Sequence, residues 1–355
     1  MKVMALNSSP RSSGQSKTAM MLDALVTGMK EAGADVEVVE LRKKKINPCS
    51  GCYTCWTKTP GVCIHQDDMT RELYAKYINA DIAILATPLY HFTVNAVMKM
   101  FIERTLPAIQ PYIYFQDGKS HHPLRGRHPA LILLSVAGFP EQRVFDQLHQ
   151  YINFVYGPGL IGEIYRSGAE SLAQPMLKDV WENVLNATRL AGQELVKTFK
   201  ISPETQAVIH QEIPMDFKDM AELANCFWNT CIDESVTPKE FSEKGLTPRP
   251  KSIGEYLAMI KVGFKPERAQ GITKTYQFEF SGEPAGTCYF SINDGVIFCG
   301  EGNPKQADVV IKTPFELWAD ILTGKADGAE MMGQGKYQVE GDLEALINMN
   351  NYFGE

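Results

Sequence analysis

The stretch KVMALNSSPRSSGQSKTAMMLDAL (residues 2–25) decides the fold. A short apolar run ends in a loop of serines, one glycine and Arg11, and the loop opens into an amphipathic helical pattern. Such a loop is an anion site, because the first amides of a helix lack intrahelical partners and the helix dipole favours negative charge. The glycine spacing of the dinucleotide fingerprint is absent. Ser16-Lys17-Thr18 imitates the end of the nucleotide P-loop, but neither of that motif's glycines is present. The loop suits a phosphate monoester held by hydroxyls and amides. Without a ligand it reads as a helix cap with solvent-facing serines.

The same alternation of strand and helix continues to about residue 200. Strands are predicted at 2–6, 35–41, 81–87, 130–136 and 160–166, and helices at 17–32, 94–105, 144–156 and 178–199. Five short apolar runs, each followed by a helix, predict an α/β fold with a doubly wound parallel sheet. They suit the flavodoxin-like strand order 2-1-3-4-5. That order brings the loop at 7–18 beside the loops at 87–92 and 135–140, at the carboxyl ends of adjacent strands. Both of these loops carry aromatic or apolar residues and free amides suited to a flat ring, and His91 is either a proton donor there or a surface histidine.

The chain of 355 residues carries a formal net charge of −7, which argues against general nucleic-acid binding. The basic run Arg42 to Lys45 reads as a solvated turn. No apolar run reaches the roughly 20 residues of a membrane span. The N-terminal residues enter a strand directly, without the apolar core of a signal peptide, so a cytoplasmic location is expected, where disulfides are disfavoured.

Four of the eight cysteines fall in CSGCYTCWTKTPGVC (49–63), with the spacing C-x2-C-x2-C-x7-C. Two-residue gaps let thiolates converge on one centre, as in cubane iron–sulfur sites. Cys49, Cys52, Cys55 and Cys63 are therefore candidate metal ligands. A [4Fe–4S] cluster, tetrahedral zinc and metal-free thiols all remain open readings. Asp67-Asp68-Met69 is expected to open the next helix as an acidic first turn. Cys226, Cys231, Cys288 and Cys299 read as buried thiols.

On LNSSPRSSGQS, the cysteine run 49–69, TPLYHFTVNAVMKMFIER (87–104) and GEIYRSGAE (162–170), residues 1 to about 195 resemble the NAD(P)H-dependent FMN reductases of the flavodoxin-like fold, and more narrowly the iron–sulfur flavoproteins of anaerobes. The resemblance implies FMN, with Ser9, Arg11, Gln15, Ser16, Lys17 and Thr18 at its phosphate. It implies Pro88, Leu89, Tyr90, His91 and Phe92 beside the ring, and Ala137 and Gly138 at the far edge. It also implies NAD(P)H or a low-potential carrier as reductant, a flavin or quinone as acceptor, and a homo-oligomer.

The rhythm changes beyond residue 200. A helical connector and linker is expected over 201–252, and a smaller α+β domain over 253–355, with a hairpin turning at Asn293-Asp294-Gly295. FSINDGVIFCGEGNPKQADVVIKTPFELWADILTGKADGAEMMGQGKYQVEGDLEAL (290–346) resembles the sterol-carrier-protein fold. That implies a lipid or other hydrophobic ligand, lined by Phe315, Trp318, Ile321, Leu322, Met331, Met332, Leu343 and Leu346. The same stripe also reads as ordinary core. Two alternatives to a reductase stand beside it: a pure electron-transfer protein, and a lipid-binding protein whose flavin domain is degenerate.

Overall fold

The computed structural model describes every residue except 13, 117, 172–176 and 354–355, and the chain divides into two units, Met1–Ile213 and Pro214–Glu355. The first is built on five parallel strands, β1 (Lys2–Asn7), β2 (Asp35–Glu40), β3 (Ile82–Pro88), β6 (Ala130–Val136) and β7 (Leu160–Arg166), in the order β2-β1-β3-β6-β7. This is the flavodoxin-like order read from the sequence. The central strands are continuous apolar runs because helices cover both faces. One face packs on α1 (Lys17–Glu31) and α5 (Lys178–Thr198), the other on α2 (Tyr74–Asn79), α3 (Ala96–Glu103) and α4 (Asp146–Tyr156). A further helix, α6 (Pro203–Ile209), packs against α5 and β7. The segment read as one connector thus begins inside the first unit.

Two glycines set the α1–α5 contact. A Cβ on Gly28 would lie 1.8 Å from the Arg189 carbonyl oxygen, and one on Gly192 would lie 2.2 Å from that of Leu25. The two backbones therefore approach as only small residues allow. Between α3 and β6 the chain inserts a short hairpin, β4 (Tyr114–Gln116) and β5 (Lys119–His121), which the sequence reading does not anticipate.

The second unit opens with α7 (Phe217–Asp233), α8 (Pro238–Glu243) and α9 (Ile253–Gly263). Its sheet has the order β10-β9-β8-β11-β12, formed by β8 (Thr273–Ser281), β9 (Gly286–Asn293), β10 (Val296–Glu301), β11 (Val309–Pro314) and β12 (Gln338–Gly341). Asn293 and Val296 pair across the expected turn, where Asp294 and Gly295 take the positive φ that a tight two-residue hairpin requires. Helices α10 (Phe315–Leu322), α11 (Gly328–Gly333) and α12 (Leu343–Met349) complete the unit. Its centre is aromatic: Phe278 and Trp318 rings lie 5.1 Å apart, and Phe280 and Phe315 rings 4.9 Å apart. Phe315 and Trp318 are therefore core residues, while Leu343 is exposed. Among the described residues, no helix is long and apolar enough to cross a membrane.

Substitution of Gly28 by Ala is expected to destabilise the first unit by about 1–3 kcal/mol, the range for overpacking a tight contact. Chemical denaturation reads this directly, and an unchanged midpoint would contradict the close α1–α5 approach.

Candidate functional site

Three loops meet at the carboxyl edge of the first sheet. The first follows β1. Ser16 caps α1 by accepting from the Ala19 amide at 3.0 Å, and its own hydroxyl donates to Ser9 Oγ at 2.8 Å. Ser9 Oγ also accepts from the Arg11 amide at 3.3 Å, so its hydrogen is left to donate. Both serines are buried. Lys17 and Thr18 form the first turn of α1, where backbone amides lack helical acceptors, and Thr18 is buried beneath it. Gln15 is exposed on the rim. Arg11 pairs with Glu170, from the loop after β7.

The second loop follows β3. Tyr90 and Thr93 exchange backbone hydrogen bonds of 3.0 and 3.1 Å, and His91 and Phe92 between them have φ of 48° and 61°. Left-handed backbone at a bulky residue such as Phe92 is strained, and strain of this kind collects at ligand-binding sites. Asn95 fixes the loop to its neighbour: it caps α3 and donates from Nδ2 to the Ser8 carbonyl at 2.6 Å. Sequence reasoning passes over Asn95, although Asn just before an apolar helical run is a cap signal.

The third loop follows β6. Ala137 is buried and its amide donates to Arg166 O at 2.9 Å. Gly138 is exposed, and a Cβ there would meet only Glu170 Cγ, at 3.9 Å. Beyond it, the exposed ring of Phe139 lies parallel to that of Phe92, with centroids 6.4 Å apart and planes 3° apart. Pro88 and Leu89 stand half-buried behind this wall. The serine loop and the paired aromatics together offer a phosphate subsite beside a flat apolar surface.

The four-cysteine loop lies between β2 and α2. Its neck is tied at both ends. Lys45 N donates to Asp68 Oδ2 at 2.7 Å, and Asn47 N donates to Asp67 Oδ2 at 2.9 Å. Cys49, Cys52, Cys55 and Cys63 line one narrow cavity, together with His65, Arg104 and Leu106. The Cys55 thiol is pushed up by burial and by the three other cysteines, so the four act on one another electrostatically. Cys52, exposed at the rim, has its thiol lowered by hydrogen bonds from Thr54 and Ser50. Among the described residues no group of three or more His, Cys, Asp or Glu is arranged to hold a metal ion.

Behind the cavity lies a buried ion pair. Arg104, 1% exposed, donates to both oxygens of Asp67, 0% exposed, at 2.6 and 3.1 Å. Asp67 caps the turn entering α2, as the acidic helix start read from the sequence, accepting from the Thr70 amide at 3.2 Å, and it does so while buried. Burial alone would raise its carboxyl, yet the Arg104 guanidinium and the Asn47 and Thr70 amides outweigh burial and hold it down at about 2.

Residues 1–165 match the NADPH-dependent FMN reductase family, and residues 260–354 match the SCP-2 sterol transfer family. Both resemblances read from the sequence therefore stand. An iron–sulfur flavoprotein of Archaeoglobus fulgidus is 37% identical over 144 residues, 40% of this chain and 58% of the relative. One from Methanocaldococcus jannaschii is 38% identical over 104 residues, 29% of this chain and 50% of the relative. The hydroxysteroid dehydrogenase-like protein 2 of Bos taurus is 25% identical over 121 residues, 33% of this chain and 29% of the relative. The chain spans about half the length of the iron–sulfur flavoproteins it matches.

Because the Asp67 carboxyl sits below its unfolded value of 3.8, its stabilisation is fully present above about pH 4 and is lost as pH falls toward about 2. Asp67→Asn is expected to flatten the acid limb of stability in that window. At neutral pH it should cost about 3–5 kcal/mol, because Arg104 is left buried without a counter-charge. Urea melts from pH 7 down to the acid limb check both, and an unaltered acid limb would contradict the assignment.

Proposed function

We propose that the chain is an FMN-dependent oxidoreductase that moves electrons from NADH or NADPH, through flavin held at the carboxyl edge of the first sheet, to a small-molecule acceptor such as a flavin or quinone. A [4Fe–4S] cluster at Cys49, Cys52, Cys55 and Cys63 is the second redox group of this reading. The observation that carries the flavin assignment is the convergence of the three loops, with a hydroxyl-lined helix N-terminus on one side and the parallel Phe92 and Phe139 rings on the other. The match to the FMN reductase family over residues 1–165 supports it.

FMN supplies the chemistry, exchanging a two-electron donor for one-electron carriers. The protein's part is placement. Ser9 offers a hydroxyl hydrogen, and the first-turn amides of Lys17 and Thr18 and the α1 dipole would face the phosphate. Arg11, held by Glu170, would present its remaining guanidinium donors, and Gln15 and Ser16 complete the loop from its rim and its cap. Pro88, Leu89, Tyr90, His91 and Phe92 border the ring on one side, Ala137 and Gly138 on the other. Gly138 leaves open space there, so a ring can approach the backbone closely.

The cluster assignment rests on donor chemistry. Four thiols line one cavity in a loop whose ends are pinned. Four Cys thiolates are the donor set of a [4Fe–4S] cluster, and Cys49, Cys52, Cys55 and Cys63 would hold it. In the second unit, the match to the SCP-2 sterol transfer family supports a lipid or other hydrophobic ligand. Ile321, Leu322, Met331, Met332 and Leu346, half-buried around the aromatic centre, would adapt to it.

Anoxic stopped-flow mixing with NADH and NADPH tests the reductase reading. The flavin absorbance should bleach with at least one of the two nucleotides. Bleaching by neither, with full reduction by a low-potential carrier, would leave a protein of electron transfer alone.

A further inference from the structure

Arg104 holds a donor that the fold does not use. A guanidinium carries five N–H groups. Both hydrogens of Nη1 are engaged, to the Asn47 carbonyl at 2.7 Å and Asp67 Oδ2 at 2.6 Å. Both hydrogens of Nη2 are engaged, to Asp67 Oδ1 at 3.1 Å and Thr70 Oγ1 at 3.0 Å. The fifth, on Nε, is buried and makes no hydrogen bond. A buried donor left without an acceptor is destabilising, so its persistence calls for an explanation.

The explanation lies in what is next to it. Arg104 lines the same cavity as the four cysteines, and the Cys63 thiol is close enough to act on the guanidinium both electrostatically and as an acceptor that falls short of full hydrogen-bond geometry to Nε. The side chain is rigid, because Asp67 grips it with two bonds and the carbonyl of Asn47, at the neck of the cysteine loop, adds a third. The surplus donor is therefore a fixed, fully charged group at the cavity wall.

We propose that Arg104 is a positioning residue for the redox group of the cysteine cavity: its Nε–H hydrogen-bonds the sulfur of Cys63 or an adjacent sulfide, and its charge raises the reduction potential of the cluster. This rests on the cluster reading above. Reduction adds one electron, and one negative charge, to the cluster and makes or breaks no bond at Arg104. A permanent cation beside the sulfurs stabilises the reduced form more than the oxidised one, and hydrogen bonds to sulfur act in the same direction. Asp67 keeps the guanidinium in place and offsets part of its charge.

The test uses full-length protein purified without oxygen. The double variant Asp67→Asn/Arg104→Gln removes both charges at similar volume and leaves no uncompensated ion in the core. Arg104→Lys keeps the charge without the planar fork. Iron, sulfide and FMN are assayed per chain, and the cluster's electron paramagnetic resonance signal is titrated with dithionite. The double variant loses the Nε–H donor and, of the two opposite charges, the one that lines the cavity, so it should titrate at a more negative potential than the wild type; Arg104→Lys should show a smaller shift, while the flavin couple stays in place.

A merely structural role would change melting temperature and leave the potential alone, which would overturn the proposal. Should the double variant lose its iron, the wild type decides. Protein labelled with 15N-arginine should show a guanidinium nitrogen coupled to the reduced cluster in pulsed resonance, and no coupling would overturn the proposal. Wild-type protein that holds no iron would sink the cluster reading itself. Iron-loaded protein with an unresponsive potential sinks only the role of Arg104.

Discussion

The Arg104–Asp67 pair is the constraint on which the cysteine region depends. Two ions taken out of water are costly, and the pair persists because its geometry is two-pronged and its remaining lone pairs and protons are nearly all engaged. Asp67 accepts from Asn47 N on one side of the loop's neck and from Thr70 N at the start of the next helix. Arg104, just after the C-terminal end of α3, donates back to Asn47 O. One ion pair thus joins a helix end, a helix start and both ends of a loop that has little regular structure of its own. The Lys45 and Asp68 hydrogen bonds at the neck and that of Trp56 to Leu106 O then complete the loop that carries the four thiols.

A second coupling joins the phosphate loop to the ring loop. Asn95 caps α3 and reaches across to the Ser8 carbonyl, while the Ser8 amide and hydroxyl both donate to Ala86 O on β3. Neighbouring parallel strands bring these loops together, but the hydrogen bonds set their exact spacing. The left-handed backbone at His91 and Phe92 is maintained by this surrounding order. It turns one aromatic ring outward and parallel to Phe139. A loop free of strain would not present that surface.

Much of this was legible in the sequence, for physical reasons. Buried parallel strands are continuous apolar runs, so β6 is located to the residue and β1 and β3 to within a residue at their ends, while the edge strand β7, LIGEIYR, is located to the residue although its first half is only partly buried. The helix cap at Ser16 follows from its chemistry, and the hairpin at Asp294-Gly295 from its need for positive φ. Other features carry no local signal. The tight turn at 90–93 lacks the glycine or asparagine that normally marks one. The hairpin at 114–121 consists of two three-residue strands, preceded by exposed Tyr112 and Ile113 and carrying exposed Phe115, too short for a period to declare itself. Asp67 reads correctly as an acidic helix start, but its ion-pair partner is 37 positions away, and such a pairing exists only after folding.

In the proposed function, one chain positions a flavin at the sheet edge and a cluster at the four cysteines. The most direct measurement is the absorption spectrum of protein purified without oxygen, with iron, acid-labile sulfide and FMN assayed on the same sample. Flavin bands under a broad shoulder are expected, with close to one FMN and roughly four irons per chain, as a [4Fe–4S] cluster requires. A colourless protein that takes up no FMN on titration, or a flavoprotein devoid of iron, would contradict it.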